Sequence, residues 1–161
     1  ETITVDIPAG VEEGMQLSVS GKGNMGARGG IPGDLIVVVE EEPHDNLKRD
    51  GNNLYYDLYI HFSDAALGST AEIPTLGGKA KIKVEEGTQS GKLLRLREKG
   101  LPSINGYGKG DLLVNINVWT PQKLSKEEKK TLQELKSSDN FQPNPGKNQR
   151  GFFEKMNQLF K

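Results

Sequence analysis

The 161-residue sequence contains no cysteine. Disulfides and thiolate metal sites are therefore excluded within this span, and Cys usage says nothing about the compartment. No apolar run approaches the ~20 residues that a membrane-spanning helix requires, and no signal peptide opens the chain. A basic stripe is missing too: 21 Lys and Arg face 22 Asp and Glu, for a net charge of −1. Nucleic acid is thus a poor candidate ligand, because phosphate binding needs clustered cations. Histidine is scarce, with two residues, and the hydrophobic fraction is low at 34%, so the core is modest. The chain starts abruptly on "ETITVDI" with no Met, as an excised piece would.

Glycine (20) and proline (8) are plentiful, which predicts many turns and short strands. Gly21-Lys22-Gly23-Asn24-Met25-Gly26 spells G-x-G-x-x-G, the dinucleotide-binding fingerprint. That motif requires a strand before it and a helix after it. The following "ARGGIPGD" cannot form a helix, since Gly is costly in helix interiors and Pro removes a donor. An internal repeat accounts for the glycines instead. At an offset of 77, Gly10 falls on Gly87, Gly14 on Gly91, Leu17 on Leu94 and Gly23 on Gly100. Without a gap, Gly33-Asp34-Leu35 then lands on Gly110-Asp111-Leu112, and Val37 on Val114. What both copies share is turn chemistry followed by Gly-Asp at the head of a strand.

Period-two patterning places strands at Ile3–Ile7, Met15–Ser20, Leu54–Phe62 and Leu112–Trp119, the apolar run Leu35–Val39 adds another, and we expect half-buried antiparallel sheets. Leu35–Val39 is apolar on both faces, so it is either sandwiched or offers one side to a partner. "SDAALG" predicts one helical turn capped by Ser63 and closed by Gly68. The first copy begins at what is the third strand of the second, which predicts opening strands upstream of residue 1. The expected organisation is all-β: two tandem small β-sandwich-like domains, the first truncated at its N-terminus, spanning 1–44 and 45–121, then short C-terminal helices in 122–161. Ser125 and Glu128 form a capping box opening a helix to about Lys136, with Leu132 and Leu135 as its apolar stripe. Phe152, Phe153, Met156, Leu159 and Phe160 share one face of a final helix, too short to stand alone in water.

No catalytic arrangement emerges. His44 follows Pro43 in a turn, and His61 alternates onto a polar face, neither with a positioned partner. Glu12-Glu13 and Glu85-Glu86 precede turn glycines in both copies and read as solvated turns. No His/Asp/Glu cluster has metal-ligand spacing. Tyr55, Tyr59 and Trp119 fall on polar faces, where a flat aromatic strip would suit sugars.

The phrases "IPAGVEEGMQL", "GKGNMGARGGIPGDLIVVV", "PHDNLKRDGNNLYYDL", "AALGSTAEIPTLGG", "IKVEEGTQSGKLLRLREKGLP" and "NGYGKGDLLVNINV" run in unbroken order. In that order they resemble the C-terminal region of DnaJ-type J-domain co-chaperones, over residues 1 to about 121. The tail, "LSKEEKKTLQELKSSDNF" with "GFFEKMNQLF", resembles a bacterial DnaJ ending. The resemblance implies domains that hold unfolded client polypeptides for a DnaK-type chaperone in the cytoplasm, without catalysis. It also implies a C-terminal segment that makes a homodimer, here through Leu132, Leu135, Phe152, Phe153, Met156, Leu159 and Phe160. Zinc is implied only for an upstream module, and no cofactor is expected within these residues. By position, Ile3 and Val37 match pocket-lining residues of the client groove, with Val5 and Val39 as neighbours, the opposite wall belonging to upstream strands. A rival reading is a carbohydrate-binding β-sandwich that uses Tyr55, Tyr59 and Trp119, and a third is a purely structural assembly module.

Overall fold

The computed structural model describes residues 2–146. The chain forms two compact units that divide between Thr120 and Pro121. The first unit is all β apart from two short helical segments. Its order is β1 (Gln16–Val19), β2 (Leu35–Val38), β3 (Lys48–Asp50), β4 (Asn53–His61), α1 (Phe62–Leu67), β5 (Ser69–Thr75), β6 (Gly78–Val84), β7 (Lys92–Leu96) and β8 (Leu112–Trp119). The strands make a two-stranded sheet β1-β2, a four-stranded sheet β3-β4-β8-β7 and a two-stranded sheet β5-β6.

The core lies wholly in the second copy. Leu54, Leu58 and Ile60 of β4 and Leu112, Val114 and Ile116 of β8 turn one face of the four-stranded sheet inward. Ile73 of β5 and Ile82 and Val84 of β6 belong to the same apolar cluster, so two sheets enclose it in the manner of a sandwich. Leu112, Val114 and Ile116 have no exposed surface at all. By contrast, no described residue before Leu47 is buried.

One expectation about pairing fails. β4 pairs with β8 in parallel, from Leu54 opposite Leu112 to His61 opposite Trp119, whereas β3-β4, β7-β8 and β5-β6 are antiparallel. Alternation reports which face is wet and is blind to strand direction. The long connection through α1, the β5-β6 hairpin and β7 is what permits the parallel return. A second difference is that residues 3–7 join no β-ladder; Ile3 and Val5 are half-buried and Thr4 and Asp6 exposed, as alternation requires, but Ile7, expected beside Ile3 and Val5, is 68% exposed. A third is β3, whose all-polar Lys48-Arg49-Asp50 carries no apolar signal. The cap of α1 is also not Ser63. The Nδ1 of His61 accepts the backbone N–H of Ser63 at 3.2 Å, and Gly68 closes the helix as expected.

In the second unit, α2 (Lys126–Lys136) follows the predicted capping box. The Ser125 hydroxyl accepts the Glu128 N–H, and the Glu128 carboxylate accepts the Ser125 N–H. No residue of α2 is buried; Leu132 is half-buried and Leu135 exposed.

Candidate functional site

The repeat persists at the level of single hydrogen bonds. Gly23 donates its N–H to Gly33 O at 2.7 Å, and Gly100 donates to Gly110 O at 2.8 Å. Gly33 returns a bond to Asn24 O (2.9 Å), as Gly110 does to Leu101 O (2.8 Å). Leu17 faces Val37 in the first copy, and Leu94 faces Val114 in the second. The glycines of the supposed nucleotide fingerprint therefore clamp two strands of a loop together. A Cβ on Gly23 would stand 2.4 Å from Asp34 O, which leaves no room for any other residue.

The Gly-Asp pair has a defined job in each copy. Asp34 accepts from the Ser18 hydroxyl and from the Gly21 N–H. Asp111, at the matching position, accepts from the Arg95 Nε and from the Glu98 N–H (2.9 Å). The Glu98 N–H foremost, then the Arg95 guanidinium, hold the Asp111 carboxyl below its ordinary range, since both favour its charged form.

The copies part at the next layer. In the second, the outer edge of β8 is filled by β4, and Leu112, Val114 and Ile116 are covered. In the first, the corresponding edge of β2 carries no strand among the described residues. Leu35, Val37 and Val39 are only half-buried, as are Leu17 and Val19 opposite. On the reverse face of β2, Ile36 and Val38 are 50% and 56% exposed. Of the two options for a strand apolar on both sides, β2 takes the one that offers a side.

Ile3, Val5, Val37 and Val39 are thus all half-buried aliphatic residues of the first copy, and Ile36 and Val38 add an exposed pair that family position did not nominate. The signal for them was in the sequence, as the uninterrupted apolar run. For dimerisation, Leu132 and Leu135 sit on α2, whereas Phe152, Phe153, Met156, Leu159 and Phe160 lie outside the described residues.

The remaining candidates have structural employment. The Nδ1 of His44 accepts the N–H groups of Asn46 and Leu47, both at 3.1 Å, closing the turn that leads to the first buried residue. Glu13 accepts the Glu41 N–H, and Glu85 pairs with Lys92. The rings of Tyr59 and Trp119 meet edge to face, centroids 6.2 Å apart and planes at 74°, so they offer no shared flat platform. Beside them Asn115 donates to Asp57 at 2.9 Å. Among the described residues, no group of three or more His, Asp or Glu could hold a metal ion, and no helix is long and apolar enough to cross a membrane.

Comparison with known proteins gives a consistent picture. The family model described as DnaJ C terminal domain matches residues 1–121. The chain is 59% identical over 160 residues to a Chaperone protein DnaJ of Bacteroides fragilis (strain YCH46), covering 99% of this chain and 40% of that protein. The protein of the same name from Bacteroides thetaiotaomicron is 56% identical over 160 residues, with the same coverage. That of Salinibacter ruber is 46% identical over 162 residues, covering 99% of this chain and 42% of its own length. The chain spans about 40% of the length of these curated relatives.

Proposed function

Because the chain belongs to the DnaJ C-terminal domain family, we propose that it is the client-binding and dimerising part of a co-chaperone that captures unfolded polypeptides without catalysis. The observation that carries this reading is β2, apolar on both faces, half-buried on one and exposed on the other, with no strand along its second edge among the described residues. An extended client segment can align with such an edge through backbone hydrogen bonds while its side chains settle among Ile3, Val5, Val37 and Val39. Each apolar client side chain gains roughly 1.5–3 kcal/mol on full burial. Binding of that size is weak, reversible and tolerant of sequence, as capture of unfolded chains demands. In the whole protein, zinc belongs to an upstream module, and clients pass to a DnaK-type chaperone in the cytoplasm. Residues 1–44 and 45–121 act as two domains, and the segment from 122 onward pairs two chains through Leu132, Leu135 and the aromatic tail.

The test is suppression of the aggregation of a denatured protein. Ile3→Asp with Val37→Asp is expected to weaken it, since both sites are half-exposed and the core does not depend on them. Undiminished suppression in that double variant removes these residues from the account. Deleting 122–161 is expected to turn dimer into monomer in sedimentation, and a deletion variant that stays dimeric overturns the placement of the dimer contact.

A further inference from the structure

Arg49 belongs to the second copy, yet its side chain reaches back to the first. It stands on β3 opposite Leu54, a residue of the buried core, so its backbone is anchored to the second copy. Its Nε donates to Gly51 O at 2.9 Å, within its own turn. Nη1 donates to Val11 O at 2.7 Å and to the Glu41 carboxylate at 2.9 Å. Nη2 donates to Gly10 O at 3.2 Å and stands 3.8 Å from the Glu12 carboxylate. The side chain is only 15% exposed. A planar fork with five N–H donors satisfies this many carbonyl and carboxylate acceptors at once, and a single ammonium cannot reproduce it.

The turn that Arg49 holds also packs closely against the second copy at Gly10. Gly10 adopts φ of +89°, and a Cβ there would lie 2.3 Å from Pro102 O and 3.0 Å from Ile104 N, in the long loop of the second copy. The turn 8–12 therefore meets both Arg49 and the 102–104 loop of the second copy. Immediately before it runs the segment 3–7, which joins no ladder among the described residues. Immediately after it, Gly14 and Met15 exchange backbone bonds with Val39, at 2.9 and 2.8 Å. Ile3 and Val5 on one side, and Val39 on the other, thus hang from one gripped turn.

We infer that Arg49 is a positioning residue: its guanidinium fixes the orientation of the first copy, and with it the apolar face of Ile3, Val5, Val37 and Val39, relative to the second copy. The link to client capture rests on the proposed function, whereas the orienting role stands on the contacts alone. Residual dipolar couplings on the full chain read the orientation directly, by asking whether residues 15–39 and 53–119 share one alignment tensor. The wild type is expected to share one. Arg49→Ala and Arg49→Lys are each expected to split it into two, with hydrogen-exchange protection of β8 unchanged. Gly10→Ala, whose Cβ would crowd Pro102 O and Ile104 N and meets no buried core residue, is expected to split it likewise and keeps the test decisive should Arg49→Ala misfold. A single tensor retained in both Arg49→Ala and Gly10→Ala overturns the inference, and full restoration by Arg49→Lys overturns the role of the fork. Suppression of aggregation measured on the same variants separates the two ideas. Split tensors with undiminished suppression uphold the orienting role and refute its connection to client capture.

Discussion

The two copies of the repeat share their turns and differ in what covers them. In both, Gly-to-Gly bonds close the long loop, an aspartate staples the strand head, and the same two strands pair in the same register. Yet Leu112, Val114 and Ile116 are fully buried while Leu35, Val37 and Val39 remain half-exposed. The difference lies in two additions to the second copy: β4 along the open edge, and the β5-β6 hairpin across the face. A sheet of two strands cannot remove its apolar face from water, and three or more strands or a packed layer are needed for independent stability. The second copy is consequently a core, whereas the first keeps its apolar residues half open to water.

The sharpest way to break this comparison uses the same residue in both copies. Leu112→Ala is expected to cost about 2–5 kcal/mol, the range for deleting a buried leucine side chain. Leu35→Ala, at the matching position, is expected to cost about 1 kcal/mol or less, because its side chain is half in water already. Urea denaturation of the two variants decides it, and equal losses would mean that the first copy is as well packed as the second.

A smaller effect separates the loop glycines. A Cβ on Gly110 would lie 1.9 Å from Asn52 O, in the strand turn that only the second copy possesses. A Cβ on Gly33 would meet nothing nearer than Asn24 O at 3.8 Å. Gly110→Ala is expected to destabilise by about 1–3 kcal/mol, as overpacking does, and Gly33→Ala by a few tenths. Thermal unfolding of the pair would expose an error if both alanines were tolerated alike.

The smallest effect concerns acid. The Asp111 carboxyl is held below its ordinary value of 3.8 by the Glu98 N–H and the Arg95 guanidinium, so folding is favoured whenever that carboxyl is charged. Its contribution is complete above the unfolded value and is lost as the pH falls through the lowered folded one. Between neutral pH and pH ~5 the wild type is expected to be more stable than Asp111→Asn, and the gap to narrow as the pH falls below ~4. A gap that stays constant down to pH 2 would show that the staple acts through shape and not through charge.

Much of this was legible in the residues. Gly33-Asp34-Leu35 recurring as Gly110-Asp111-Leu112 announced the repeated strand head, and Leu35–Val39 announced a strand apolar on both faces without deciding whether it is sandwiched. The capping box at Ser125 and Glu128 appeared where its spacing placed it. Arg49 was silent, because its partners are carbonyls of residues 10 and 11, roughly forty positions away, which no local pattern marks. The cap of α1 was misassigned because His61, like Ser63, offers an acceptor of the right reach, and only the backbone geometry chooses between them.

By itself, then, the chain of residues determined the repeat, the turns and which side of each strand is apolar, since these depend on neighbours a few positions apart. Strand direction, the covering of one copy and not the other, and the grip of Arg49 on a distant turn were decided only by tertiary structure. The physical reason is that burial and long-range hydrogen bonds belong to pairs of segments. Whether an apolar residue ends half-buried, as Val37 does, or fully buried, as Val114 does, is decided only when a second layer arrives.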